Sequence, residues 1–164
     1  MRSDKLNPNS NDFDASVGGF EFINATTSLT QDDSGKVFAL NSTSAVVVTL
    51  PTDANCSIGC HYKFIVQTTN DNAYTIKTGD DADSGGDDFV GGVILASTTA
   101  GFGHAVVPAA NDYEIVLDGN LADTGGEKGS WIEVIKITAD EWMVSGCVYS
   151  DDADTDGSAL FTNS

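Results

Sequence analysis

Three cysteines and a histidine come first among the residues that could do chemistry. Cys56-x-x-x-Cys60-His61, with Cys147 far along the chain, holds the donors of a Cys₃His zinc site. Zinc takes about four such ligands in a tetrahedron. The spacing between Cys56 and Cys60 is loose for that purpose, and the competing expectation is a loop with two small buried thiols. An odd cysteine count in a chain that folds in a reducing compartment points to free thiols. A Cys56–Cys60 bridge formed later, in an oxidising medium, stays open as an alternative.

Acidic loops are the second candidate. Residues 79–88 read Gly-Asp-Asp-Ala-Asp-Ser-Gly-Gly-Asp-Asp. Calcium wants six to eight oxygens, and closely spaced aspartates with glycine at the bend can supply them. The loop lacks the closing glutamate and flanking helices of an EF-hand, and it is a single copy where calcium-binding nonapeptides need several. The expectation is a solvated acidic turn with no bound metal. Asp80, Asp81, Asp83, Asp87 and Asp88 are the residues to watch should a cation bind. The run at 151–157 reads the same way.

Catalysis has little to work with. The two histidines are His61 and His104, and the latter lies in a glycine-rich stretch with no identifiable triad partner. The chain contains no Gly-x-Ser-x-Gly, no His-Glu-x-x-His and no phosphate loop. A glycosidase needs two carboxyls at a set separation, and nothing selects two from 25 acidic residues. The expectation is a protein that is not an enzyme and carries no cofactor. Trp131 and Trp142 could be sugar platforms, but each sits in an apolar strand phrase and is expected in the core.

The elements that must position these residues are strands. Asp outnumbers Glu by 20 to 5, and Asp serves turns where Glu serves helices. Seventeen glycines and three prolines suit a fold of many turns. Period-two apolar runs recur at 37–40, 45–50, 62–67, 73–78, 113–117, 130–137 and 142–149, and no long stretch carries a capped helical period. A Thr-rich run at 22–29 and a run at 89–97 broken by two glycines add two more, the latter reading as a bulge or corner. That makes nine or ten strands. The runs at 37–40 and 45–50 are expected to pair as a hairpin, as are 62–67 with 73–78 and 130–137 with 142–149. The expected core is Phe38, Leu40, Val46, Val48, Leu50, Tyr62, Phe64, Val66, Ile76, Ile115, Leu117, Trp131, Trp142 and Val144.

These elements divide the 164 residues into an irregular arm at 1–20, a β-sandwich at 21–149 and a tail or edge strand at 150–164. The formal charge of −18 leaves no basic footprint for nucleic acid or an anionic membrane. The longest apolar run is too short to span a bilayer as a helix, and the first residues lack the apolar core of a signal peptide. Synthesis and folding in a cytoplasm are the expectation.

Several phrases together carry a resemblance. They are Asp33-Ser34-Gly35-Lys36-Val37-Phe38-Ala39-Leu40-Asn41, Thr49-Leu50-Pro51, Tyr62-Lys63-Phe64-Ile65-Val66, residues 91–95, Gly129-Ser130-Trp131-Ile132-Glu133-Val134-Ile135 and Trp142-Met143-Val144-Ser145-Gly146. In this order and spacing the chain resembles a group of tailed-bacteriophage virion proteins. The acidic, Asp-rich composition is similar to that of phages from marine hosts. The resemblance implies an antiparallel β-sandwich or jelly roll. It implies head decoration (cement) on the outer capsid surface, with the phage major capsid protein and sister subunits as partners, most simply as a homotrimer. Leu6, Phe13, Val17, Phe20, Leu160 and Phe161 would make those contacts. A tail-fibre or receptor-binding module for a host glycan is the alternative.

Overall fold

The computed structural model describes residues 20–80, 86–99, 101, 103–120, 124–152 and 156–163. Among them are thirteen strands and no α-helix, arranged as two sheets around one core. The first sheet runs in the order β1 (Phe20–Ile23), β3 (Val37–Leu40), β5 (His61–Val66), β11 (Trp131–Lys136), β12 (Glu141–Ser150), β8 (Val93–Ser97) and β9 (Gly103–Val106). Strand β7 (Asp88–Gly91) also lies on β12. The second sheet runs β13 (Phe161–Thr162), β10 (Glu114–Leu117), β6 (Tyr74–Lys77), β4 (Val46–Thr49) and β2 (Thr27–Ser28). The fold is an all-β sandwich.

The sheets are mixed, which corrects the antiparallel expectation. In the first sheet β1, β3 and β5 are mutually parallel neighbours, and in the second so are β2, β4 and β6. From β1 to β6 the chain therefore passes from one sheet to the other after every strand, and successive coils stack. The expected hairpins at 37–50 and 62–78 are instead arches that cross between sheets. The Thr-rich run at 22–29 divides in the same way into β1 and β2. Jelly-roll connections are absent from these six strands. Beyond them, β5 and β6 each meet an antiparallel partner, β11 and β10. The hairpin of β11 and β12 forms as expected.

Polar side chains at the arches explain why the coils stack. A strand-to-strand crossing leaves backbone and side-chain polar groups without ladder partners, and these must be satisfied locally. At equivalent places in three successive coils, Asn41 Nδ2 donates to Asn24 Oδ1 at 3.2 Å and Thr68 Oγ1 donates to Asn41 Oδ1 at 2.7 Å. Farther round the arches, Asn70 Nδ2 donates to the Ser44 carbonyl at 2.9 Å and Asn72 Nδ2 to that of Thr43 at 3.0 Å. The Tyr74 hydroxyl reaches the Ser42 carbonyl at 2.7 Å. Each bond ties one coil to the next.

The glycine-broken run forms β7 and β8, which follow one another along the same side of β12. Gly91 makes the break with φ +100°, and a Cβ there would press on the Val144 carbonyl.

Inward residues alternate along the strands. Phe38, Leu40, Val46, Val48, Leu50, Tyr62, Phe64, Val66, Ile76, Ile115, Leu117, Trp142 and Val144 are all buried. Trp131 is the correction: it is half-buried on the outer face of β11, with the Lys63 ammonium 4.4 Å from its ring centroid. Strand parity decides this. Ile132 stands opposite Phe64 and Val134 opposite Tyr62 on the inner face, so Trp131 and Glu133 must point out. Leu160 and Phe161 are a second correction, for they are buried in this chain's own core and leave no apolar rim there. The Leu160 carbonyl accepts from the Val116 amide at 2.8 Å, and β13 closes the edge of the second sheet beside β10. Phe161–Thr162 thus form an edge strand of the sandwich.

Replacing Asn41 by Ala removes two links of the arch ladder while leaving the core intact. The expected loss is about 1–2 kcal/mol of unfolding free energy in urea, with an unchanged m-value.

Candidate functional site

The parity that turns Trp131 outward turns Lys136 inward. Lys136 is 1% exposed, at the end of the inward row Ile132, Val134, Lys136. Its Nζ donates to both oxygens of Asp87, at 3.0 and 3.0 Å. It also lies 2.5 Å from Asp53 Oδ1. Asp87, immediately before β7, is 0% exposed. Trp142, opposite Lys136 in the β11–β12 register, donates Nε1–H to Asp87 Oδ2 at 2.9 Å, and Nζ stands 4.9 Å from its ring centroid.

A buried charge needs close partners, and here one cation serves two anions. Asp53 begins a short 3-10 turn (Asp53–Asn55) and is partly open to solvent. Its backbone N–H donates to Asp80 Oδ2 at 2.7 Å. The Asp87 amide donates to the Asp80 carbonyl at 3.2 Å, and the Thr78 hydroxyl bridges the carbonyls of Asp80 and Asp87 at 2.9 and 3.3 Å. One carboxylate oxygen from each of Asp53, Asp80 and Asp87 lies within 4.8 Å of the others. Burial pushes the Asp87 carboxyl up to about 6, against the pull of the Trp142 and Lys136 hydrogen bonds. For Lys136 burial acts downward, but hydrogen bonds to Asp53 and Asp87 outweigh it and hold the ammonium above its ordinary value. Both shifts make the cluster retain protons.

Of the acidic candidates, Asp80 and Asp87 meet here, and Asp88 lies on β7, half-buried. Asp81 and Asp83 lie outside the described residues. In the second acidic run Asp151 and Asp152 are exposed, and 153–155 lie outside the described residues. Asp53 and Lys136 were not foreseen. The signal for Lys136 was its place in the alternating run Ile132-x-Val134-x-Lys136; Asp53 carried none, since it reaches the site only through the folding of its turn.

The cysteine–histidine set does not assemble among the described residues. Cys56 and Cys60 are buried beside Tyr62, whereas Cys147 is opposite Trp131 on the outward side of β12. Burial, with Cys60 alongside, pushes the Cys56 thiol up to about 12. Burial likewise raises the Tyr62 hydroxyl, which donates to the Thr30 carbonyl at 2.9 Å. His61 Nδ1 is 3.2 Å from the Gly59 carbonyl. His104, on β9, places Nε2 2.9 Å from the Asp156 carbonyl.

Among the described residues, an exposed aromatic pair lies on the β1 edge of the first sheet. Phe20 and Phe22 on β1 are 38% and 52% exposed and meet edge to face at 5.5 Å. Among the described residues, no strand pairs with the outer side of β1. Of the arm candidates, Leu6, Phe13 and Val17 lie outside the described residues. A search of protein-family models, curated proteins and solved structures finds no match to this chain.

Asp87→Ala leaves the Lys136 ammonium with Asp53 alone and is expected to cost about 3–5 kcal/mol. The double change Asp87→Ala/Lys136→Met should be less destabilised than Asp87→Ala, read from paired denaturant curves. A thiol reagent at neutral pH is expected to modify Cys147 in the native protein and to reach Cys56 only after unfolding, as peptide mapping would show.

Proposed function

We propose that this chain is a structural virion protein of the capsid-decoration type. It binds the outer surface of a phage head as a homotrimer, holds the major capsid protein and has no catalytic role. The observation that carries this reading is the outer side of β1, with which no strand among the described residues pairs. Free N–H and C=O groups on an edge strand can accept a strand from another chain, and two exposed phenylalanines beside them add apolar area. Residues 1–19 immediately precede that edge in the sequence.

The phrase pattern that resembles phage virion proteins supports the same reading, as does the surface charge. A net charge of −18 suits an outward face in salty surroundings, where screening confines repulsion to a short range. A capsid repeats its binding positions, so an oligomer with one modest contact per subunit binds strongly through multivalency. Nothing in such a role needs a cofactor, a nucleic acid or a membrane.

Added to undecorated heads of the phage that encodes it, the protein is expected to pellet with them and to saturate at a fixed stoichiometry. Removing residues 1–19 should abolish pelleting, and Phe20→Ser/Phe22→Ser should weaken it about tenfold or more, both with an unchanged urea midpoint. A protein that ignores the heads and instead binds a host-surface glycan would overturn the decoration reading in favour of a receptor-binding module.

A further inference from the structure

The Lys136–Asp87 contact has the makings of a reactive pair. Nζ is equidistant from the two oxygens of one carboxyl, at 3.0 Å from each, and both residues are sealed from solvent. A second carboxylate, Asp53, lies on Nζ at 2.5 Å and is the part of the cluster that reaches solvent. An indole N–H is fixed on Asp87 Oδ2 at 2.9 Å. An amine, a carboxyl, a proton carrier and a hydrogen-bond donor for a developing oxyanion therefore converge on one carbon.

We propose that Lys136 and Asp87 join in an intramolecular amide bond, with Asp53 carrying the proton and Trp142 holding the oxyanion. One ammonium proton passes to Asp87 Oδ1, turning the ion pair into a neutral amine and a neutral acid. Nζ then bonds to Asp87 Cγ, and the C=O electron pair moves onto Oδ2, where Trp142 Nε1–H donates. Asp53 takes a second proton from the nitrogen and returns it to Oδ1. The Cγ–Oδ1 bond breaks, Oδ1 leaves as water, and the C=O to Oδ2 re-forms. The third proton stays on the amide nitrogen. No oxidant, reductant or co-reactant is needed, and Asp53 ends as it began.

Three physical effects favour this over a permanent ion pair. Burial favours the neutral acid at Asp87, while at Lys136 the hydrogen bonds to Asp53 and Asp87 outweigh it, so the first proton transfer is helped from the acid side alone. Groups held in an attacking geometry reach effective molarities on the order of 10⁵–10⁸ M, and Nζ stands 3.0 Å from each oxygen of the carboxyl it would attack. A preorganised donor at the developing oxyanion acts more strongly in a site without water. The elevated position of the Asp87 carboxyl, near 6, is in the direction the first proton transfer needs. The link would join the entry of β7 to the end of β11, across the intervening β12, and so staple three neighbours of one sheet.

The test is the intact mass of the full-length folded protein, measured after denaturation and reduction. The expected mass is lower than the sequence mass by one water, and proteolysis should yield a branched peptide joining Lys136 to Asp87. Lys136→Arg should restore the full sequence mass. Asp53→Asn, at a partly exposed position, should fold and remain unlinked or link at least tenfold more slowly. A full-mass wild-type protein after prolonged incubation in the folded state would overturn the proposal, as would a water deficit that maps elsewhere, such as to an Asp-Gly step. Linking of Asp53→Asn at the wild-type rate would overturn the part given to Asp53.

Discussion

An ammonium inside an apolar sandwich has to be neutralised where it stands, and much of this structure is arranged around that requirement. Strand β11 presents Ile132, Val134 and Lys136 on its inner face because the pleat allows no other choice once the two aliphatic residues face Phe64 and Tyr62. Slipping the register by one residue would rescue the lysine but bury Glu133. The chain instead brings Asp87 in at the start of β7, aims the Trp142 indole at it, and folds the Asp53 turn over the top. A backbone constraint thus becomes a side-chain cluster drawn from four separate segments. The same cluster ties down the ends of the acidic loop, since the Asp87 amide and the Asp80 carbonyl close it at 3.2 Å.

Far from that cluster, a different interaction organises the first third of the domain. Asn24, Asn41 and Thr68 occupy equivalent corners of three coils and hydrogen-bond in series. Their chemistry is that of turn residues, so short polar breaks such as Asn41-Ser42-Thr43-Ser44 look alike whether they reverse a hairpin or cross between sheets. Period and composition reveal the strands and which side of each is apolar. They do not reveal the partner, because the same alternation satisfies a parallel neighbour in one sheet and an antiparallel one in another. That is why β3 and β4 read as a hairpin and are an arch. The β11–β12 hairpin was legible because its two long strands flank a short turn and can pair over their whole length.

The site was legible only in part for a related reason. Asp80 and Asp87 stood out as loop acids expected in a solvated turn, whereas the fold buries Asp87 against its own lysine. Lys136 ends a clean alternating run, so its inward position could be read; what would neutralise it could not, because Asp53 is remote in sequence and arrives through a turn. Trp131 misled for the opposite reason: a large aromatic in an apolar phrase suggests core, yet parity outranks size, and its ring is covered from outside by Lys63. Residues 150–164 read equally as a tail or an edge strand, and the fold takes the second: Leu160 and Phe161 enter the core as a two-residue strand completes the second sheet.

The placement of the few basic residues bears on how copies of this molecule could meet. Of seven, Lys136 is in the core, Lys63 lies over Trp131, and Lys36 is held between Glu21 and Asp33 at 2.7 and 2.6 Å. With these engaged, the remaining surface charge is mostly negative, and two molecules repel once they approach to within the screening length. At physiological salt that length is about 8 Å, so attraction between copies has to come from contacts closer than this, through backbone hydrogen bonds or apolar area. The β1 edge supplies both, and it does so where Lys36 neutralises the glutamate between the two exposed phenylalanines. An acidic exterior with a locally neutral, partly apolar edge favours association in one orientation and discourages the rest.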